Sequence, residues 1–418
     1  MFNIAHLSDL HLGYSSGRKK IDENGFNVRE NDGYVAYNKI VDEIIADGTI
    51  DAVVVTGDMF HSPRPKNHTI QIAQEGLRRI SEAGIETYII AGNHDATDIR
   101  AEVPSSKLLH EPNSRIYSYS EPYVVKEIHP GLFLHFVSHH AFIDQDETMH
   151  NIELIDNAIN ILVSHGSTFD TNMNIILRTP NEPREVVIPE YVMNLPWDYT
   201  WLGHIHERGW VSSSDGVTDT ANRKQFYGGS ILRRGFSDKA SKLGRGWTKW
   251  TVNTETSEIT PELFTIQERP QFDMSPIDIK GKTPGDVEKE ILEQLKSIDN
   301  YIERHFGEMT LENTPIVRQT IVGVNAVTRL SINLQRFNEY TSRYLVHTFK
   351  VVPDASKLEL SEVVTIENLN NSDIVTVFKE WNKENEESLG IDENIRKDVE
   401  KSAENYLKAS RDELLTRD

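Results

Sequence analysis

Phe2-Asn3-Ile4-Ala5-His6-Leu7-Ser8-Asp9-Leu10-His11 opens the chain as an apolar strand that runs straight into two residue types able to bind metal. The pattern returns at residues 51–58, where Asp51-Ala52-Val53-Val54-Val55-Thr56 reads as a buried strand and Gly57-Asp58 follows it. Between the two, residues 33–46 place Val35, Ile40, Val41, Ile44 and Ile45 at helical spacing, which predicts an amphipathic helix. Residues 69–83 predict a second helix and residues 86–91 a third strand. Strand, helix, strand, helix, strand is the sequence form of a β-α-β layered domain, so the fold class is α/β.

Outward from this core, apolar runs at residues 132–137, 159–164, 199–202 and 225–227 continue the strands with fewer helices between them. Gly246-Trp247-Thr248-Lys249-Trp250-Thr251 reads as a closing strand, and a first domain is expected to span residues 1–265. From Pro276 the reading restarts. Strands at 277–279, 316–322 and 344–352, with helices at 284–298 and 331–339, predict a small α+β module at 276–355. Beyond residue 370 the chain is charged and helix-prone, and residues 371–418 are expected to form a helical tail.

The 418 residues suit two or three units at a soft prior of about 150 residues each. No window approaches the roughly 18 consecutive apolar residues of a membrane span, so no membrane association is expected. Met1-Phe2-Asn3-Ile4 enters a strand at once, which argues against a secretory signal and favours a cytoplasmic location. There is no cysteine, so thiolate sites are excluded and a metal must rely on imidazole, carboxylate or amide ligands. Lys and Arg number 44 against 65 Asp and Glu, a formal charge of −21. That weakens the case for unaided duplex binding, which draws on cations that neutralise phosphates.

Five short patterns carry the chemistry. They are Ser8-Asp9-Leu10-His11, Gly57-Asp58-Met59-Phe60-His61, Gly92-Asn93-His94-Asp95, Ser164-His165-Gly166 and Gly203-His204-Ile205-His206. Singly they say little, since a Gly-Asp is ordinarily a turn. Five in order, each at the end of an apolar run, predict side chains gathered outside the carboxyl ends of strands. Asp9, His11, Asp58, Asn93, His165, His204 and His206 are therefore expected to hold a pair of ions. Imidazole suits transition metals, a carboxylate can bridge two cations, and two ions about 3.5–4 Å apart suit in-line displacement at phosphorus. Asp-x-His and His-x-His put alternate side chains on one side of an extended segment. Asp58, after a buried strand and a turn-permitting glycine, is the expected bridge.

His94 is expected to act on the substrate rather than on metal, stabilising or protonating the leaving group. Asp95 is expected to orient His94, as carboxylates orient imidazoles around metals. His61 is a candidate contact for the phosphodiester, with a purely structural role as the alternative. His135, His139 and His140 match no position of the pattern and are read as non-ligands, and His110 and His129 as surface residues.

These five motifs resemble those of the calcineurin-like metallophosphoesterases, over about residues 1–265. Within that superfamily the chain resembles the SbcD branch, nuclease subunits of double-strand-break repair complexes, including phage recombination endonuclease subunits. The resemblance rests on Ile4–Gly13, on Gly57-Asp58-Met59-Phe60-His61-Ser62-Pro63-Arg64-Pro65, and on Tyr227-Gly228-Gly229-Ser230 before Ile231–Phe236. Gly228 departs from a proline common in that branch. The resemblance implies a four-layer α/β/β/α sandwich, a DNA-capping domain at 276–355 and a tail that binds an ATPase. It implies Asp9, His11, Asp58 and His206 around one ion, with Asp58, Asn93, His165 and His204 around the other. It implies two Mn²⁺, with Mg²⁺ a poorer substitute. It also implies a homodimer, 3′-to-5′ exonuclease activity on duplex DNA and endonuclease activity on single strands. The partner would be an SMC-like ABC ATPase of the SbcC type, in a bacterial or phage-infected cytoplasm. Arg64, Lys66, Arg233 and Arg234 are candidate phosphate contacts or solvated charges. A stand-alone phosphoesterase on nucleotides or phosphoproteins is the alternative enzyme, and a scaffold with a degenerate site the alternative from another class.

Overall fold

Four parallel strands, β1 (Phe2–Leu7), β2 (Ala52–Val55), β3 (Glu86–Ile90) and β4 (Ile116–Tyr119), form the first sheet, with α1 (Val28–Asp47) and α2 (Asn67–Glu82) as crossovers. The structure is a computed structural model. It describes residues 1–15, 21–23, 25–96, 103–111, 114–143, 147–169, 176–177, 185–212, 217–218, 224–236, 238, 241–324, 344 and 346–353. The second sheet contains β5 (Tyr123–His129), β6 (Leu132–Val137) and β7 (Ile159–His165), with α3 (His139–Ile143) between the last two. β8 (Thr168–Phe169) and β9 (Ile176–Leu177) pair as a hairpin, and α4 (Glu190–Met193) follows. β10 (Tyr199–Gly203), β11 (Gly209–Val211), β12 (Val217–Thr218) and β13 (Gln225–Tyr227) complete the second sheet. β14 (Gly246–Asn253) then returns to the first sheet antiparallel to β1, and β15 (Glu258–Thr265) pairs on its outer side.

The period-two alternation of the strands decides which layer each residue serves. Ala5, Leu7, Val53, Val55 and Ile89 pack under α1 and α2 with Tyr37, Ile40, Val41 and Leu77. Their neighbours Ile4, Val54, Tyr88 and Ile90 face the other sheet, where Leu134, Phe136, Ile161, Val163, Trp201 and Phe226 meet them. The outer face of the second sheet places Val137, Leu162, Leu202 and Tyr227 against Ala141, Phe142, Val192 and Met193. Helices, sheet, sheet, helices is the four-layer sandwich that the sequence led us to expect.

Several boundaries differ from expectation. α1 starts at Val28 rather than 33, because the Asn27 side chain caps it by accepting from the amides of Arg29 and Glu30. Val35, expected in the core, is 60% exposed and lies off the packed stripe. β14 reaches Asn253, and its hairpin partner β15 had not been anticipated.

After Thr265, β16 (Gln271–Asp273), β17 (Ile277–Asp278), α5 (Pro284–Phe306), β18 (Ile316–Val324) and β19 (Val346–Pro353) build a small sheet with one long helix. α5 begins in a capping box made by Thr283 and Asp286. It runs past the expected end at 298 because its buried stripe of Val287, Ile291, Leu295, Ile298 and Ile302 continues, and it stops at Gly307. The described residues up to Val322, with those at 344 and 346–352, belong to one compact unit. The helix expected at 331–339 and the tail expected at 371–418 lie outside the described residues. No helix among the described residues is long and apolar enough to cross a membrane.

Candidate metal centre

All five patterns leave the carboxyl ends of parallel strands. Leu7 pairs with Val55 and Val55 with Ile89, while Gly203 pairs with His165, so the segments that follow emerge on one rim of the sandwich. There the backbone turns sharply. Asp9, His11, Asp58 and His204 have φ of 47°, 44°, 52° and 102°, a region unfavourable for residues with a Cβ. Strain of this kind, of order 1–3 kcal/mol per residue, persists where the surroundings enforce it and gathers at functional sites. Here the amides of His11 and Leu12 bond the carbonyls of Asp58 and Met59, locking the first two turns together. Gly203 marks how close the layers come: a Cβ there would lie 2.0 Å from the Thr56 carbonyl oxygen and 2.6 Å from His165 Nδ1.

The seven predicted donors converge and are all buried. His11 Nε2 lies 3.1 Å from His206 Nε2, and Asp9 Oδ1 is 4.0 Å from the first and 3.9 Å from the second. Asn93 Oδ1 is met by His165 Nε2 at 2.8 Å and by His204 Nδ1 at 3.1 Å. Asp58 Oδ2 stands between the two groups, 3.6 Å from both His11 Nε2 and His165 Nε2. His165 Nδ1–H donates to the Thr56 carbonyl at 2.8 Å, which turns Nε2 toward Asn93 and Asp58. Lone-pair atoms face one another across about 3–4 Å, an arrangement that cations resolve. The donor set therefore fits a pair of metal ions, and Asp58 occupies the shared position.

Burial holds the His11 ring far below the usual histidine range, with Arg234 adding to the effect. Burial also lowers His204, against the opposing pull of Glu185. Both rings are thus neutral, the form that binds metal. At Asp9 burial pushes upward, but His165, His206 and the Ser8 hydroxyl outweigh it and keep the carboxyl below its ordinary range.

His94 stands at the edge of this cluster, its ring centroid 4.7 Å from that of His11 and 5.1 Å from that of His61. Its Nδ1–H donates to the His61 carbonyl at 2.8 Å, which turns Nε2 away from that carbonyl. His61 is partly exposed, and Tyr14 packs edge-on against it at 4.9 Å. Asp95, expected to orient His94, engages backbone amides. Its carboxylate accepts from the amides of Met59, Phe60 and Gly92 at 3.3, 3.0 and 3.0 Å, and so ties together the loops that carry Asp58 and Asn93. Burial and the nearby Asp58 raise Asp95 above the ordinary carboxylate range, against those amide bonds.

Three neighbours escaped sequence reasoning. Asp238 Oδ1 accepts from His206 Nδ1 at 3.2 Å, Glu185 Oε1 lies 3.7 Å from His204 Nε2, and Arg245 donates to the His206 carbonyl at 2.6 Å. None follows a strand end, which was the signal used. His135 is a structural histidine, held by Tyr123 at 2.7 Å and Asn160 at 2.9 Å. Lys66 pairs with Glu30 at 2.6 Å, while Arg233 and Arg234 line a small pocket beside Asp9 and His11.

Comparison with known proteins bears on the same residues. A family model described as calcineurin-like phosphoesterase matches residues 2–224. Among curated relatives, the protein from Sulfurisphaera tokodaii named DNA double-strand break repair protein Mre11 is 23% identical over 412 residues, covering 88% of this chain and 98% of its own. Its namesake from Sulfolobus acidocaldarius is 20% identical over 416 residues, 97% of each chain. The one from Methanococcus maripaludis is 40% identical, but over 92 residues, 22% of this chain and 23% of its own. The family match covers more than half of the chain and all five strand-end motifs, so the protein belongs to the calcineurin-like phosphoesterase family and is a phosphoester hydrolase.

Proposed function

We propose that the protein is a metal-dependent DNA nuclease, the nuclease subunit of an ATPase–nuclease complex that processes DNA ends. The observation that carries the reading is a donor set fit for two ions in a chain that aligns over nearly its whole length with proteins named for double-strand-break repair. Asp9, His11, Asp58 and His206 would hold one ion, and Asp58, Asn93, His165 and His204 the other, with Mn²⁺ preferred and Mg²⁺ a substitute. Bound there, the two ions supply positive charge to the phosphoryl oxygens and lower the cost of activating water.

The chain's own groups do the rest. Burial favours the neutral, metal-binding form of the His11 and His204 rings, and the shared Asp58 fixes the spacing of the two donor sets. His94, aimed by the His61 carbonyl, presents Nε2 to the phosphodiester and hands a proton to the leaving oxygen. Arg233 and Arg234 contact the flanking phosphate from the pocket they line. The reading extends to 3′-to-5′ exonuclease activity on duplexes, endonuclease activity on single strands, a homodimer, and an SbcC-type ABC ATPase bound through residues 371–418. An ATPase that supplies most of the DNA grip accounts for the charge of −21.

The test is incubation with Mn²⁺ and labelled duplex DNA, single-stranded DNA or a generic phosphomonoester, beside Asp58→Ala and His94→Ala. DNA cleavage lost in both variants is the expected result. Monoester turnover without DNA cleavage would replace the reading with a stand-alone phosphoesterase. Deletion of residues 371–418 should abolish co-purification with the ATPase and spare single-strand cleavage.

A further inference from the structure

The two nitrogens of His206 have different surroundings. Nε2 faces His11 and Asp9 inside the cluster, while Nδ1 points outward, 3.2 Å from Asp238 Oδ1 and 3.2 Å from Arg234 Nη2. One tautomer cannot serve both outer neighbours, because a guanidinium needs a lone pair at Nδ1 and a carboxylate needs a proton there. With Nε2 given to an ion as a lone pair, the remaining ring proton sits on Nδ1, and Asp238 accepts it. Asp238 is itself held in place: its Oδ2 accepts from the Arg234 amide at 2.9 Å, and its side chain is only 6% exposed.

The segment that carries Asp238 is pinned from the other side. Phe236 packs with Val28 of α1 and Ile316 of β18, and the Arg318 guanidinium lies 4.6 Å from its ring centroid. Arg318 is in turn paired with Asp273 on β16 through Nε at 2.9 Å. Two residues before the carboxylate, the chain is thus packed against the small α+β sheet.

We propose that Asp238 is a positioning residue for His206, fixing the ring's tautomer and direction and so setting the affinity of the Asp9–His11–Asp58–His206 ion but not of its neighbour. The inference rests on the two-ion reading above. Acceptors behind metal-bound imidazoles are worth about 10–100-fold in metal affinity, and that is the effect expected here.

The experiment titrates Mn²⁺ into the metal-stripped full chain by calorimetry and by electron paramagnetic resonance, for wild type, Asp238→Asn and Asp238→Ala. Wild type should show two sites. Each variant should weaken one site by about 10–100-fold and leave the other unchanged, with the metal-free circular dichroism spectrum retained. Raising Mn²⁺ should restore turnover at unaltered KM for DNA, which a general loosening of the fold would not allow. Two wild-type affinities in both variants, or equal weakening of both sites, would overturn the assignment. A wild type that binds no pair of ions would instead remove the two-ion reading, and this inference with it.

Discussion

His11 Nε2 and His206 Nε2 stand 3.1 Å apart although 195 positions separate them in the chain. The contact exists because β1 and β10 lie in different sheets and end on the same rim. Two imidazole nitrogens at this distance either share one N–H or, when both turn lone pairs inward, need a cation between them, so metal binding and folding are linked at this pair. Each ion held at 100 times its Kd adds about 2.7 kcal/mol to the folded state. Thermal unfolding of His11→Ala with and without Mn²⁺ should therefore show a smaller Mn²⁺-dependent gain than wild type. An undiminished gain would place the ion elsewhere.

His94 should separate chemistry from binding. Its Nδ1 is engaged by the His61 carbonyl, and on the proposed reading its Nε2 serves the substrate, so His94→Ala should remove a proton donor and no ligand. The expected loss in kcat is about 10²–10⁴-fold, with both Mn²⁺ affinities retained. Loss of an ion in the calorimetric titration would make His94 a ligand and refute the division of roles.

Much of the site was legible because parallel strands send their carboxyl ends the same way. Asp9, Asp58, Asn93, His165 and the His204/His206 pair each follow an apolar run, and strand direction alone brings them to one rim. What lay hidden depended on side-chain direction. Asp95 is adjacent to His94 in sequence, yet its carboxylate points at amides from two loops. Asp238 follows no strand, and nothing in its place in the sequence marks it as the partner of His206. The positive φ of Asp9, His11 and Asp58 left no trace either, since the usual sign of such a turn is glycine. The α1 start was missed because its first turn is polar and Asn27, not an apolar residue, defines it.

Asp95 should prove a brace. Asp95→Ala strands three buried amides, each left without its acceptor at a cost of about 1–3 kcal/mol. Urea unfolding of the metal-free protein should show a loss of at least about 2 kcal/mol. If stability held and kcat alone fell, Asp95 would after all be acting through His94.

Gly203 should tolerate no side chain. In Gly203→Ala the new methyl would meet the Thr56 carbonyl and the His165 ring, which are hydrogen-bonded to each other. Overpacking of this kind costs typically about 1–3 kcal/mol. The calorimetric titration should also lose affinity at the Asn93–His165–His204 ion, because the ring is the movable partner. Wild-type stability together with two intact sites would show that the layers can part.

The sandwich also carries a pH-dependent clasp away from the site. Asp47, in the last turn of α1, accepts from Lys249 Nζ on β14 at 2.8 Å and from the Thr49 amide at 3.1 Å. Partial burial pushes its carboxyl upward, but the bonds from Lys249 and Thr49 outweigh that and hold it below the ordinary carboxylate range. A carboxyl lowered on folding contributes stability above its unfolded pKa of about 3.9, and that contribution fades as pH falls through the folded value. Asp47→Asn should therefore lower the unfolding free energy from urea titration at neutral pH, by about 1 kcal/mol for a single partly buried pair. The gap from wild type should close on acidification below the ordinary carboxylate range. A gap of equal size at neutral and at strongly acid pH would mean that Asp47 acts through packing rather than through its charge.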